Sequence, residues 1–163
     1  MWVLGNLDEE DDGKMIRKAK ITDVEDIHAL ITHYANKGLM LARPRSVLYE
    51  GIREFTVAEE NGQLLGVGSL HIIWEDLAEV RALAVREDRG RQGIGRTLVQ
   101  SFLQEAKDLH IPRVFTLTYQ ADFFIKCGFL PKAKEEMPQK VWRECINCPQ
   151  FPNCEEEALM IDL

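Results

Sequence analysis

A short basic loop rich in glycine carries the clearest chemical signal of the chain. Residues 89–95 read Arg-Gly-Arg-Gln-Gly-Ile-Gly and lie between a strand-like run and a helix-like run. Backbone N–H groups at the start of a helix attract anions, and glycine lets the backbone approach them closely or adopt a positive φ. Basic side chains beside such a loop suit a phosphate group. The loop therefore predicts a phosphate-bearing ligand, with a turn that only connects two elements as the ordinary alternative.

Two ionisable residues lie on the apolar strand that precedes this loop. Because side chains alternate along a strand, Glu79 and Arg81 share one face, which we expect Leu83 and Val85 to continue. The opposite face then carries only small apolar residues: Ala78, Val80, Ala82 and Ala84. A carboxylate in such a place can take a proton from a reacting group. A structural ion pair is the equally open alternative.

Two arginines occupy a connection between predicted helices. Arg43 and Arg45 flank Pro44. A guanidinium group binds a carboxylate through two parallel hydrogen bonds. Arginines in loops are usually solvated, so the residues alone leave both a carboxylate-binding role and a surface role open.

Three cysteines stand close together, at Cys145, Cys148 and Cys154. Close thiols are typical of zinc sites, but a structural zinc ion usually takes four ligands. A disulfide is not expected in a reducing compartment. We therefore expect ordinary thiols in a proline-containing loop and no metal site, and metal binding by these three cysteines stays open as the alternative.

The elements that must position these residues follow from periodicity and turn signals. A strand over 15–20 precedes a helix that opens with the capping-box pattern Thr22-Asp-Val-Glu25 and ends near Gly38. Asn61-Gly62 marks a hairpin turn. The remaining predicted elements are a helix over 46–53, strands over 55–59, 63–74 and 77–86, a helix over 94–109, a strand over 114–118, a helix over 121–127 and a strand over 158–162. This order predicts an α+β (mixed α/β) fold, a single domain in which helices flank a central mixed β-sheet.

Composition excludes several functional classes. With 163 residues, of which 45% are hydrophobic and 29% charged, the chain is expected to form one soluble globular domain. A net charge of −7 argues against a general nucleic-acid binder. No apolar run reaches the length of a membrane span and no signal peptide is visible, so we predict a cytoplasmic protein. Residues 1–14 are expected to form a flexible acidic tail, which leaves 15–163 as the folded domain.

The order of these features resembles the GNAT superfamily of acetyl-CoA-dependent N-acetyltransferases. Three segments carry the resemblance: residues 77–85, the loop with Gly93-Ile94-Gly95, and residues 123–129. In that family, the loop follows the pattern [Arg/Gln]-x-x-Gly-x-[Gly/Ala], where x is any residue, and it holds the pyrophosphate of coenzyme A. Gly93-Ile94-Gly95 fills the second half of this pattern, whereas Gly90 occupies the position of its Arg or Gln. The resemblance implies acetyl-CoA as co-substrate, bound by Leu83, Ala84, Val85, Arg91, Gln92, Gly93, Ile94, Gly95 and Arg96.

The same resemblance implies roles in catalysis. Glu79 stands where GNAT enzymes often carry a general base, which takes a proton from the substrate ammonium so that the neutral amine can attack the thioester. Backbone N–H groups near Leu83 and Ala84 would stabilise the developing charge on the thioester oxygen. Many members use a tyrosine to protonate the leaving thiolate. The matching residue here is Phe124, which leaves Tyr119 or water as the proton donor.

Most of the region from residue 16 to residue 163 looks like the acetyltransferase part of N-acetylglutamate synthases. That family lacks the tyrosine acid, in agreement with Phe124, and has an arginine at the position of Arg43 to hold a substrate carboxylate. The resemblance implies substrate-binding roles for Arg43, Arg81 and Tyr119. Many of these synthases have a basic residue where Tyr119 stands, so either glutamate recognition here depends on Arg43 and Arg81, or the substrate differs.

The resemblance thus implies an N-acetyltransferase that acts on the α-amino group of an amino acid, with L-glutamate first, at the entry to arginine biosynthesis. Two alternatives stay open: acetylation of another small amine or amino acid, and a non-catalytic acyl-CoA-binding regulatory module. The expected partners are a small-molecule amino-acid substrate and a second copy of the chain in a homodimer. Neither nucleic acid nor a membrane is expected.

Overall fold

The computed structural model describes residues 14–90, 92–138 and 156–163. Seven strands and four helices lie within these ranges. The strands are β1 (Lys14–Lys18), β2 (Phe55–Glu60), β3 (Gln63–Trp74), β4 (Leu77–Val85), β5 (Arg113–Thr118), β6 (Leu130–Lys132) and β7 (Glu157–Asp162). The helices are α1 (Val24–Asn36), α2 (Arg45–Glu50), α3 (Ile94–Asp108) and α4 (Ala121–Lys126).

The strands form one mixed sheet in the order β1-β2-β3-β4-β5-β7-β6. Strands β4 and β5 run parallel, whereas the pairs β1–β2, β2–β3, β5–β7 and β6–β7 are antiparallel. A parallel pair needs a long crossover, and α3 supplies it between β4 and β5. The predicted α+β fold with a central mixed sheet and flanking helices is confirmed.

Most elements begin and end within one or two residues of the predicted bounds. The hairpin turn at Asn61-Gly62 is confirmed, with φ values of 50° and 80°. Strand β6 was not predicted, because three exposed residues with a central proline give no strand signal. Strand β1 begins at Lys14, one residue before the predicted edge of the folded domain. The rest of the predicted tail, residues 1–13, lies outside the described residues.

The start of α1 differs from the predicted capping box. A 3₁₀ turn comes first, and the helix begins at Val24. The carboxylate that satisfies the backbone here belongs to Asp23, whose Oδ2 accepts a hydrogen bond from the Lys20 N–H at 2.7 Å. Glu25 instead accepts hydrogen bonds from Arg45 at 2.8 and 3.0 Å. The tertiary partner therefore outweighed the local pattern.

Contacts between residues divide the described chain into two compact units, of which the first comprises residues 14–69 and 82–99. In this unit α1 and α2 pack on β2, β3 and β4 through a buried cluster: Val24, Ile27, Ile31, Leu48, Phe55, Val57, Val67 and Ala84. A Cβ on Gly66 would lie 3.1 Å from Ile94 Cγ2 and 3.2 Å from Leu98 Cδ1 of α3. Because neighbouring strand residues face opposite sides, α1 and the start of α3 cover opposite faces of β3.

The second unit comprises residues 70–81, 100–138 and 156–163. Its buried cluster joins β4, β5 and β7 to the turn before residue 138: Leu77, Phe115, Met137 and Ala158. The Thr116 hydroxyl donates a hydrogen bond to the Val80 carbonyl oxygen at 3.1 Å, which ties β5 to β4. The parallel register sets Glu79 opposite Phe115. This pairing fixes the position of Glu79 on a central strand.

None of the helices in the described ranges combines the length and the hydrophobicity that a bilayer crossing requires.

Candidate active site

Glu79 and Arg81 meet on β4. The Arg81 Nε donates a hydrogen bond to Glu79 Oε1. Both side chains are largely buried, with 7% of Glu79 and 13% of Arg81 exposed. The face predicted for this pair is confirmed. Burying a carboxylate is costly unless it is paired, and the guanidinium offsets that cost. The arrangement is thus an ion pair that also holds a carboxylate in one position.

The backbone of β4 changes conformation directly after this pair. Ala82 has a φ of +53°, in the left-handed region that alanine seldom adopts. The strand continues to Val85, but it is not extended at this residue. The predicted face of Glu79 and Arg81 therefore does not continue by simple alternation to Leu83 and Val85, because alternation assumes an extended backbone at every residue. Left-handed residues other than glycine tend to occur at functional sites.

The turn after β4 and the start of α3 carry the groups that were predicted to bind an anion. Gly93 has a φ of +78°, and among the described residues, its chain neighbours aside, no atom lies within 4 Å of the place its Cβ would take. Helix α3 begins at the next residue, Ile94, and has no acidic residue in its first turn. The first N–H groups of a helix lack a helical partner and point outward. Binding of an acyl-CoA pyrophosphate at this place stays a prediction.

The side chains of the loop differ in what they offer to such a ligand. Arg89 pairs with Glu60 at 2.6 Å, and its guanidinium is therefore engaged on the strand side. Gln92 and Arg96 are exposed. Arg91 lies outside the described residues, so its predicted cofactor contact stays a prediction. Arg96 lies in the first turn of α3, and its predicted contact with a phosphate likewise stays a prediction.

The other predicted loop residues, Ile94 and Gly95, lie at the start of α3. Ile94 is buried and Gly95 is half-buried. The Ile94 side chain faces Gly66 on β3, so it anchors the helix start. The absence of a side chain at Gly66 lets α3 approach the sheet closely, which fixes where the N–H groups of the first turn lie.

Arg43 and Arg45 have different surroundings. Arg45 opens α2, is exposed, and pairs with Glu25 of α1. Arg43 lies in the connection between α1 and α2 and is half-buried, with its Nε atom screened from solvent. Of the two arginines, Arg45 holds two helices together and Arg43 is the one with a partly enclosed guanidinium.

Tyr119 and Phe124 lie after β5. Tyr119 is half-buried, and the Thr118 hydroxyl accepts a hydrogen bond from the Gln120 N–H at 2.8 Å, which fixes the turn. Phe124 is 3% exposed and lies edge-on to Phe129, with ring centroids 5.2 Å apart. Phe124 therefore contributes packing and has no proton to give.

Sequence reasoning missed the contacts that α1 makes with the end of β4. The Tyr34 hydroxyl donates a hydrogen bond to the Val85 carbonyl oxygen. Lys37 and His33 both contact the Glu87 carboxylate. Tyr34 fits the apolar stripe of α1, and the other two read as surface residues. Helical spacing gives no sign that they reach a turn about fifty positions away.

No cluster of three or more His, Cys, Asp or Glu side chains that could hold a metal ion occurs within the described ranges. Cys145, Cys148 and Cys154 lie outside those ranges, so the expectation of ordinary thiols there stays a prediction.

Several known proteins are similar to this chain in sequence. The model of the acetyltransferase (GNAT) family matches residues 21–129. An uncharacterized N-acetyltransferase of Chlorobaculum tepidum is 37% identical over 89% of this chain and 94% of its own length. An amino-acid acetyltransferase of Mycobacterium tuberculosis is 41% identical over 71% of this chain and 67% of its own length.

A solved structure extends the likeness to the fold. N-acetylglutamate synthase from Neisseria gonorrhoeae, complexed with coenzyme A and N-acetyl-glutamate, has a TM-score of 0.84 and 27% identity. The match covers 92% of this chain and 35% of that one. The chain belongs to the GNAT family of acetyltransferases.

Proposed function

We propose that this protein transfers the acetyl group of acetyl-CoA to the α-amino group of L-glutamate, the reaction that opens arginine biosynthesis. As a GNAT acetyltransferase, the chain uses acetyl-CoA as its co-substrate. An amino acid as acceptor is supported by the M. tuberculosis relative named amino-acid acetyltransferase. Glutamate is suggested by the N-acetylglutamate synthase, of which this chain matches about a third.

One observation carries the chemical part of the proposal: a buried carboxylate, Glu79, held on β4 shortly before the left-handed residue Ala82. An amino acid arrives with an ammonium group, and only the neutral amine can attack a thioester. Glu79 accepts the ammonium proton, directly or through a water molecule. The N–H groups of Leu83 and Ala84, which follow Ala82, stabilise negative charge on the thioester oxygen.

The loop before α3 holds the phosphates. Among the described residues, none but the chain neighbours of Gly93 comes within 4 Å of the place where any other residue would have its Cβ. The N–H groups of Ile94, Gly95 and Arg96 then face the pyrophosphate, and the exposed Arg96 side chain adds a positive charge. Amide-bond formation releases a thiolate, which takes a proton from Tyr119 or from water.

Arg43 binds a carboxylate of the amino acid. Its half-buried guanidinium gives a charge-assisted hydrogen bond more weight than an exposed one would have. Arg81 already donates to Glu79, so a role in substrate binding would require it to share its guanidinium between two carboxylates. We assign the larger share of carboxylate recognition to Arg43.

A paired substitution tests this assignment. Arg43→Ala should raise the KM for glutamate about 10- to 100-fold, because a charge-assisted hydrogen bond contributes about 1.5–3 kcal/mol. The KM for acetyl-CoA should change far less. Arg45→Ala is the control, because it removes a neighbouring arginine whose partner is Glu25. Equal effects of Arg43→Ala on both substrates would refute the role of Arg43.

Two alternatives to glutamate acetylation can be compared with this proposal. Membership of an acetyltransferase family favours an enzyme over a non-catalytic acyl-CoA-binding module. Another amino acid remains the nearest competitor to glutamate. The cytoplasmic location and the homodimer stay predictions.

A further inference from the structure

We propose that the C-terminal end of α1 positions the turn that binds acetyl-CoA, through a group of contacts that we call the α1 clasp. The clasp joins α1 and its C-terminal cap to the last residue of β4 and the turn after it. Its residues are Tyr34, His33 and Lys37 on the helix side, and Val85 and Glu87 on the other. The inference rests on the proposed function of the loop before α3 as the pyrophosphate site. Tyr34 and Lys37 are positioning residues and need not touch the ligand.

Tyr34 forms the backbone part of the clasp. Its hydroxyl donates to the carbonyl oxygen of Val85, the last residue of β4. Burial raises the pKa of the Tyr34 phenol above its usual value, with the Glu87 charge adding to the shift. The hydroxyl therefore keeps its proton at neutral pH and remains a donor. The contact fixes the peptide at which the strand ends and the turn begins.

Glu87 forms the side-chain part. Its carboxylate contacts the Lys37 ammonium and lies 3.1 Å from His33 Nε2. Hydrogen bonds from Lys37 and then His33 hold the pKa of the Glu87 carboxyl below its ordinary value. These groups are about half exposed, so the pair is weak and sensitive to salt. The Tyr34 contact carries the larger share of the clasp.

The turn is also held from the sheet. The Arg86 N–H donates to the Leu65 carbonyl oxygen at 2.8 Å, and Arg89 pairs with Glu60 at 2.6 Å. The short segment 85–89 is therefore held on one side by β2 and β3 and on the other by α1. All of these residues belong to the first unit.

This arrangement has a consequence for binding. When a ligand binds only one conformation of the turn, its apparent affinity is the intrinsic affinity multiplied by the fraction of molecules in that conformation. The clasp keeps this fraction high before acetyl-CoA arrives. Loosening it should weaken CoA binding without altering the chemistry on β4.

Substitutions at Tyr34 and Lys37 test the clasp. Tyr34→Phe removes only the hydroxyl and should raise the dissociation constant for CoA, measured by calorimetry, about two- to tenfold. Lys37→Met should raise it about twofold at low salt, and Lys37→Arg should restore the parent value. The KM for acetyl-CoA should follow the dissociation constant, while the KM for the amino acid and kcat at saturation stay within about twofold.

Ile31→Val is the matched control. It trims a buried side chain of the same helix and destabilises the fold by an amount similar to the loss of one hydrogen bond. If Ile31→Val weakens CoA binding as much as Tyr34→Phe does, or if Tyr34→Phe lowers the melting temperature and leaves CoA binding unchanged, the clasp is only structural and the proposal is wrong.

The failure of the clasp can be told from the failure of the loop. Gly93→Val should abolish or strongly weaken CoA binding if the loop is the pyrophosphate site. Loss of binding in Gly93→Val with parent-like binding in Tyr34→Phe and Lys37→Met would overturn the clasp alone. Parent-like binding in Gly93→Val would overturn the site assignment, and the clasp with it.

Discussion

At the scale of residues, the buried carboxylate of Glu79 is the feature that most needs a physical explanation. It is buried on a central strand and paired with Arg81, which is the usual condition for keeping a carboxylate charged inside a protein. An ion pair alone would satisfy that condition. The left-handed Ala82 directly beyond the pair is an added cost, and strained backbone of this kind tends to occur at functional sites.

The first prediction follows from the role of Glu79 as base. Glu79→Gln keeps the shape of the side chain and an oxygen for Arg81 but cannot take the proton. Steady-state turnover should fall roughly 10²- to 10⁴-fold, the usual weight of general base catalysis, while calorimetry shows unchanged CoA binding. Glu75→Gln, in the exposed turn after β3, is the control. Turnover within a few-fold of the parent would leave Glu79 a structural partner of Arg81.

The second prediction uses two glycines in nearly the same conformation. Gly93 has a φ of +78° and Gly62 a φ of +80°, and a Cβ on either would meet no atom of the described residues within 4 Å apart from its chain neighbours. Valine should cost about 1–3 kcal/mol of stability at both positions because both are left-handed. Only Gly93→Val should also weaken CoA binding, since its side chain would enter the space proposed for the phosphates. Equal CoA affinity in two folded variants would remove the loop from the cofactor site.

At the scale of elements, α1 links the packing of the first unit to the proposed cofactor loop. Its start is held by Asp23, which accepts hydrogen bonds from Arg17 of β1 at 2.7 and 2.9 Å. Its C-terminal end contacts Val85 and Glu87. A helix fixed at both ends can transmit the position of the sheet edge to the turn that follows β4.

The third prediction concerns the pH dependence of this anchor. The Arg17 guanidinium lowers the pKa of the Asp23 carboxyl below its ordinary value. The stabilisation is therefore complete above the unfolded pKa of about 3.9 and is lost as the pH falls through the lower, folded value. Asp23→Ala should lower the free energy of unfolding by about 1–3 kcal/mol at pH 7, and the difference from the parent should shrink below about pH 4.

Urea unfolding at pH 7 and at pH 3 measures this difference. Asp26→Ala, an exposed acidic residue in the first turn of the same helix, is the control and should cost only a few tenths of a kcal/mol at either pH. A deficit in Asp23→Ala that stays constant across this pH range would mean that the ion pair with Arg17 does not stabilise α1.

Features that have a local sequence signal could be predicted, whereas features that depend on the tertiary fold could not. The positive φ of Gly93, the hairpin at Asn61-Gly62 and the bounds of β3 depend on local signals, and the structure agrees with these three expectations. The left-handed φ of Ala82 could not be predicted, because alanine carries no signal for it. The contacts of Tyr34 and Lys37 were equally out of reach, because they join segments that only the tertiary fold brings together.

At the scale of the whole molecule, charge sets a constraint on the ligands. The chain has a net charge of −7, yet the proposed ligands, acetyl-CoA and glutamate, are both anionic. Long-range attraction cannot bring them in, so binding must depend on local cations and on the backbone dipoles of α3. A cationic amine would suit the overall charge better. The preference for one acceptor over another therefore tests the proposal that glutamate is the substrate.

The most direct test is a comparison of acceptors. Glutamate, glutamine, aspartate, arginine and spermidine would each be supplied with acetyl-CoA, and release of the CoA thiol followed, with Glu79→Gln as the background control. The account predicts the highest kcat/KM for glutamate, with spermidine lower by at least about tenfold because it offers no carboxylate to Arg43. Preference for a neutral amino acid would remove glutamate but keep amino-acid acetylation. Preference for spermidine, or no turnover with any amino acid, would contradict the account.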